Sequence, residues 1–349
     1  MPINYEVINP NTDVATTKTL LHEVIPLTGT IVSGTYGTFP DDDNIKNYAH
    51  GMFQSVYDYP YLSSSANYIF DLSVGYDESS PLSSSINSVQ RTKKINMYNQ
   101  FSQVMLGYTG SASRVRLFES DLTLDESAAN VMKEVIFVNF SRLLTKDQIK
   151  KGSMSLTVGT ASWADPFSGT KTFTDSEASN TGGTLNTVGG DYGVLSSSAD
   201  GVGGIVFYQA GMMVLTSSIW AGTTDFFSSS AAGNRTFDQQ LVSGSISGSA
   251  DAFRHRMQNI QFNNTTEINS TVYFCRASHN KFNYSSNPTY LSESLIRVKN
   301  GDRDNPPLSF ITTIGLYNSS NELLAVAKLS EPLRKDPTNE LTLRVRLDY

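Results

Sequence analysis

Leu341-Thr342-Leu343-Arg344-Val345-Arg346-Leu347-Asp348 decides the fold class. Its apolar residues recur at every second position, the period of a strand, so Leu341, Leu343, Val345 and Leu347 share one face. Thr342, Arg344, Arg346 and Asp348 share the other. One face is expected to be buried and the other solvated or set against a partner.

Upstream, residues 309–317 and 322–329 form two further strand patterns around the turn Asn318-Ser319-Ser320-Asn321, a hairpin. Residues 269–276 read as a strand, preceded by a turn at Asn263-Asn264-Thr265-Thr266, where polar side chains compete for nearby backbone. Glu134-Val135-Ile136-Phe137-Val138-Asn139-Phe140 is β-branched and aromatic, a second strong strand signal. Residues 153–158 and the later half of 61–76 alternate as strands too. Between 160 and 250, Ser, Thr and Gly dominate, and the apolar runs 204–208 and 212–216 stand as islands between long loops.

Helical patterns are fewer. Asp41-Asp42-Asp43 places carboxylates ahead of Ile45, Tyr48, Ala49, Met52, Phe53, Val56 and Tyr57, which keep helical spacing until Pro60. A second helix is expected over 92–106, with Ile95, Tyr98, Phe101 or Ser102, and Met105 on one side, Lys93 and Lys94 elsewhere, and Gly107 as its stop. Thr145-Lys146-Asp147-Gln148 has capping-box spacing for one short helical turn ending at Gly152.

The expected class is therefore mainly β with a few helices (α+β), an antiparallel β-sandwich-like body with an extended N-terminal arm. Four segments follow: an arm over 1–40, a helix-containing region over 41–130, a β region with Gly/Ser-rich loops over 131–275, and a C-terminal hairpin-and-strand region over 276–349.

The 349 residues suffice for a sizeable core. Charged residues make up only 17%, against about 25% in an average soluble protein. The net charge of −7, with no run of like charges, makes nucleic acid and anionic membrane poor partners. A single cysteine, Cys275, excludes an internal disulfide and a cysteine-rich zinc site. No apolar run reaches membrane-spanning length, and the start lacks a secretory signal pattern.

Chemistry-bearing patterns are weak. His22, His50, His255 and His279 are not at metal-ligand spacing, and His255 between Arg254 and Arg256 reads as part of a solvated element. No Gly-x-Ser-x-Gly elbow occurs. Gly201-Val202-Gly203-Gly204 precedes a strand, where a phosphate loop requires a helix, so it reads as a β connection. Asp302 and Asp304 lack the further spaced ligands of a calcium loop and read as a turn. No catalytic residue, metal or cofactor is assigned. The Asn-rich stretch 283–288, beside Tyr273, Phe274, Phe282, Tyr284 and Tyr290, suits either a contact surface or aromatic core packing.

The run Tyr273-Phe274-Cys275-Arg276-Ala277, then 282–288, Ile296-Arg297-Val298-Lys299, 311–317 and 323–329, resembles virion structural proteins of T-even-like contractile-tailed phages, especially those of cyanophages. The stretches 48–76 and 94–107 are similar to the same group, so both ends of the chain carry the likeness. The hairpin from Ile314-Gly315-Leu316-Tyr317 to Leu324-Ala325-Val326-Ala327-Lys328-Leu329 is similar to a segment of the baseplate-attaching domains of tail-collar fibres.

This resemblance implies a non-enzymatic virion component of tail, baseplate or neck, assembled in the host cytoplasm, that contacts other virion proteins and copies of itself in a symmetric ring. A capsid-associated or head-surface protein, and a glycan-binding or glycan-degrading module, are the alternatives. Uncharged polar surfaces and extended arms suit β-augmentation between subunits, with the N-terminal arm and the C-terminal strand each expected to lie on a neighbour. The candidate interface residues are Phe282, Tyr284, Tyr290, Arg344, Arg346 and Tyr349.

Overall fold

The computed structural model describes residues 5–32, 34–84, 88–109, 114–284, 291–292, 295–296 and 308–349. The chain is mainly β with a few helices and divides into two compact units, residues 21–266 and residues 1–20 together with 267–349. Strands in chain order are β1 (Val14–Thr28), β2 (Ile45–Asn47), β3 (Gln54–Tyr57), β4 (Tyr68–Tyr76), β5 (Phe118–Glu119), β6 (Val131–Met132), β7 (Glu134–Phe140), β8 (Gln148–Ile149), β9 (Ser155–Gly159), β10 (Thr170–Thr174) and β11 (Leu185–Thr187). They continue with β12 (Gly190–Ser197), β13 (Gly201–Phe207), β14 (Met212–Thr216), β15 (Phe227–Ser229), β16 (Gly233–Arg235), β17 (Met257–Ala277), β18 (Leu291–Ser292), β19 (Leu295–Ile296), β20 (Ser309–Tyr317), β21 (Leu323–Lys335) and β22 (Leu341–Asp348). The helices are α1 (Gly29–Val32), α2 (Val89–Met105), α3 (Arg142–Thr145), α4 (Phe237–Ser243) and α5 (Ile246–Arg256).

In unit 21–266 the first part of β17 opens an antiparallel sheet ordered β17-β9-β10-β12-β13-β14-β7-β4-β3-β2. Both faces are buried, so the central strands are apolar throughout rather than half-polar. On β7, Ile136, Val138 and Phe140 enter one core while Val135 and Phe137 enter the other. The first core also holds Trp220, Phe237 and Phe253, and here Phe262 of β17 meets Phe140 of β7 at 5.0 Å between ring centroids. Five strands separate β17 from β7 in the sheet order, so the two-layered body is one sheet folded over on itself.

Helix α2 covers the opposite face. It is capped by Ser88, ends before Gly107 at φ +81°, and buries Lys94, Met97, Tyr98 and Ser102. A Cβ on Gly75 would lie 2.8 Å from Lys94 O and 3.0 Å from Tyr98 N, so glycine is what lets the helix rest directly on β4.

Four local expectations are corrected. The segment 41–60 forms the β2–β3 hairpin, with Ile45 opposite Val56, because β4 offers an edge that takes up β3. Gly51, at φ +60°, turns the chain between the two strands. The short helical turn lies at Arg142–Thr145, capped by Ser141, and Gln148–Ile149 is a strand pairing with β17. Asn263–Thr266 is no turn but part of β17, where Asn264 Oδ1 accepts from Glu23 N at 3.0 Å and its Nδ2 donates to Leu144 O at 2.9 Å. Lys94 is fully buried, and Arg254-His255-Arg256 is not solvated: both arginines are buried, and His255 Nε2 lies 2.8 Å from Trp163 O.

In the unit formed by 1–20 and 267–349, β22 pairs antiparallel with β17 over Ser270–Ala277. The alternation of β22 is as expected, with Val345 buried and Thr342, Arg344, Arg346 and Asp348 exposed. β20 and β21 form the expected hairpin. The arm is tied to its own chain: Asp13 O accepts from Phe274 N at 2.8 Å, and Lys18–Glu267, Arg276–Asp13 and Lys281–Glu6 are ion pairs.

Candidate functional site

The β20–β21 hairpin alternates like a half-buried pair, yet little covers it. Phe310, Tyr317, Leu323, Leu324 and Val326 are exposed, Leu324 at 68% and Phe310 at 59%. Leu316 is the one buried apolar residue of the two strands. An isolated two-stranded hairpin is marginally stable in water; near its turn Tyr317 lies opposite Leu323 and Gly315 opposite Val326, while Phe310 lies opposite Arg334 at the far end. Local order comes from within: the Tyr317 ring lies over Gly315, where a Cβ would come 2.8 Å from it, and Tyr5 packs on Tyr317 at 4.8 Å. The turn is closed by Asn318, whose Oδ1 accepts from Ser320 N and Glu322 N at 2.9 and 2.8 Å.

Among the described residues of this unit, only Val272, Ala277, Leu316 and Val345 are buried apolar side chains. Its charges cancel, with eleven basic and eleven acidic residues, and the net −7 belongs to the other unit, which has fifteen basic and twenty-two acidic. An electroneutral apolar surface associates where a like-charged one is repelled.

The residues singled out from sequence fall on this unit at separate places. Phe282 and Tyr284 are each 44% exposed, and the Phe282 carbonyl accepts from Ser309 Oγ at the start of β20. Arg344 and Arg346 share the exposed face of β22, where Arg346 donates to Asp348 at 2.7 Å and to Ser270 Oγ at 3.0 Å. Tyr349 exchanges main-chain hydrogen bonds with Asn269 and is 72% exposed. Tyr290 lies outside the described residues. Among the described residues β22 pairs along one edge, with β17. The hairpin itself was legible as two strand patterns around the turn 318–321, but the exposure of its apolar residues was not.

The buried ionisable groups of the other unit are spent on scaffolding. Arg254 uses all five N–H groups: Nε to Gln54, Nη1 to Val32 O and Asp42, Nη2 to Pro40 O and Asp251. Arg256 holds four backbone carbonyls, those of Phe226, Gly159, Ala161 and Asp225. Asp175 accepts from Gly152 N, Met154 N and Tyr208 Oη, and burial still raises its pKa. Lys94 donates to Leu241 O and Gly244 O at the end of α4, and desolvation pushes its pKa down to about 8. No helix among the described residues is long and apolar enough to cross a membrane.

Comparison with protein-family models, with curated proteins and with solved structures finds no match.

Proposed function

We propose that this chain is a non-enzymatic structural subunit of a contractile-tailed phage virion, in the tail, baseplate or neck. In this reading the unit formed by 1–20 and 267–349 makes the subunit contacts, including contacts with other copies in a symmetric ring. One observation carries it: the exposed apolar side chains Tyr317, Leu323, Leu324 and Val326 near the turn of a hairpin whose one buried apolar residue among its two strands is Leu316. The neutrality of this unit supports contact between copies, since their −7 bodies repel while these surfaces do not. The virion assignment rests on the sequence resemblance at both ends of the chain.

Sedimentation velocity of the full chain over a wide concentration range tests the contact. Concentration-dependent oligomers that Leu324→Lys with Val326→Lys returns to monomer are the expected result. A monomer at every concentration defeats self-assembly through this surface. Mass spectrometry of separated tails and heads tests the location, and recovery in heads alone replaces the tail reading with the head-surface one.

A further inference from the structure

Below the C-terminal half of α2 lies a cleft of about 540 Å³, wholly within unit 21–266. The helix rests on the sheet at Gly75, and farther along the gap opens over the row Ser55–Asp71–Asn139–Met212, four residues opposite one another on β3, β4, β7 and β14. From the helix, Met97, Phe101, Val104 and Met105 line the cleft, and Phe137 and Met212 line it from the sheet. Thioether side chains adapt to the shape of an apolar guest. Val104 stands at the rim, 56% exposed.

One part of the floor is polar. Asp71 and Asn139 line the cleft side by side, and Asp71 Oδ1 accepts from Ser55 Oγ, which also pairs with Tyr48 Oη at 3.2 Å. Burial raises the pKa of Asp71 against the lowering effect of its hydrogen bonds to Ser55 and Tyr68. Among the described residues no lysine, arginine or histidine forms an ion pair with it. His50, Ser73 and Gln100 also line the cleft, but Asp71 is hydrogen-bonded by the hydroxyls of Ser55 and Tyr68, and a part-buried acid held by neutral donors in a mainly apolar cleft is complementary to a cation on an apolar body.

We propose that this cleft binds a small amphiphile consisting of an aromatic or aliphatic body and one ammonium group, with Asp71 receiving the ammonium. This site is independent of the hairpin surface and of the assembly reading.

Three probes with the same 2-phenylethyl body separate the contributions: 2-phenylethylamine, 2-phenylethanol and 3-phenylpropionate, titrated into the full chain and followed by saturation-transfer NMR. The amine is expected to bind saturably, roughly tenfold tighter than the alcohol, the gain typical of one charge-assisted hydrogen bond, with the carboxylate weakest. Asp71→Asn is expected to level amine and alcohol. Val104→Lys, at the exposed rim, should weaken the amine more than the alcohol by like-charge repulsion and guards against a folding defect in the first variant. Absence of saturable amine binding, equal binding of amine and carboxylate, or an amine preference that survives Asp71→Asn would each overturn the proposal.

Discussion

The two units of this chain solve stability in opposite ways. Unit 21–266 buries both faces of a folded-over sheet and ties its loops down with Arg254, whose five donors all find acceptors, and Arg256, which holds four carbonyls. The unit built from the two chain ends has strands, ion pairs and turns but four buried apolar side chains among its described residues. Hydrogen bonds in a ladder add little net stability when water competes for the same groups, whereas removing apolar surface from water is the main favourable term. On the proposed reading, contact with other subunits supplies the second to the unit of the chain ends. The difference separates a unit with two apolar cores from one whose described residues bury four apolar side chains, and it can be broken or sharpened by substitution.

The largest effect belongs to the body. Arg254→Ala leaves Asp42 buried without its cation and strips acceptors in Gln54, Val32, Pro40 and Asp251 of their donor, at a cost of about 3–5 kcal/mol. Urea denaturation should show it as a lowered midpoint at unchanged slope. A loss below about 1 kcal/mol would mean that the arginine is not what anchors the 32–42 segment to α5.

Lys94 comes next and has a pH signature. Its folded pKa, about 8, lies below the unfolded lysine value, so between these the unfolded chain carries the extra proton. Stability should thus rise with pH from about 8 toward 10, by up to roughly 3 kcal/mol at about 1.4 kcal/mol per pH unit. Lys94→Met should flatten that rise. If the wild type and the variant trace the same pH profile, the lysine is not desolvated as its position implies.

How much of this was readable in advance depends on whether a signal was local. The strands at 134–140 and 341–348 and the hairpin at 309–329 follow from alternation alone, because side-chain period two is fixed by the backbone. The helix expected over 41–60 failed because helical spacing of apolar residues competes with what a neighbouring strand offers, and only Gly51 marked the turn. Helices α4 and α5 were missed: their Ser- and Gly-rich sequence hides the caps Thr236 and Ser245, which the structure shows accepting from Gln239 N and Gly248 N. Arg254 and Arg256 read as solvated because burial of an arginine depends on acceptors scattered from residue 32 to residue 226, invisible along the chain. The cleft was equally hidden, since Asp71, Asn139 and Met212 meet only through strand register.

Gly75→Ala probes the contact between helix and sheet with a smaller perturbation. The added carbon would press on main-chain atoms of Lys94 and Tyr98, which cannot swing aside as a side-chain tip can, so α2 must lift. Overpacking of this sort costs about 1–3 kcal/mol, and lifting α2 also widens the cleft over Asp71 and Asn139. A neutral result by thermal denaturation would show that α2 has slack against β4.

The smallest effect on folding is expected where the effect on association is greatest. Leu324 and Val326 are 68% and 51% exposed, so replacing both by lysine removes almost no buried area and should change the stability of the isolated chain by no more than about 0.5 kcal/mol per site. Two lysines on the hairpin nonetheless charge a patch that must be desolvated when a second copy covers it, and desolvating an unpaired ammonium costs several kcal/mol. Thermal melts of dilute protein should overlay, while melts of concentrated wild type should lie higher than those of the variant, because association that favours the folded state raises the midpoint by mass action. If dilution leaves the wild-type midpoint where it was, the hairpin is stable without a cover and the contrast between the two units has been misjudged.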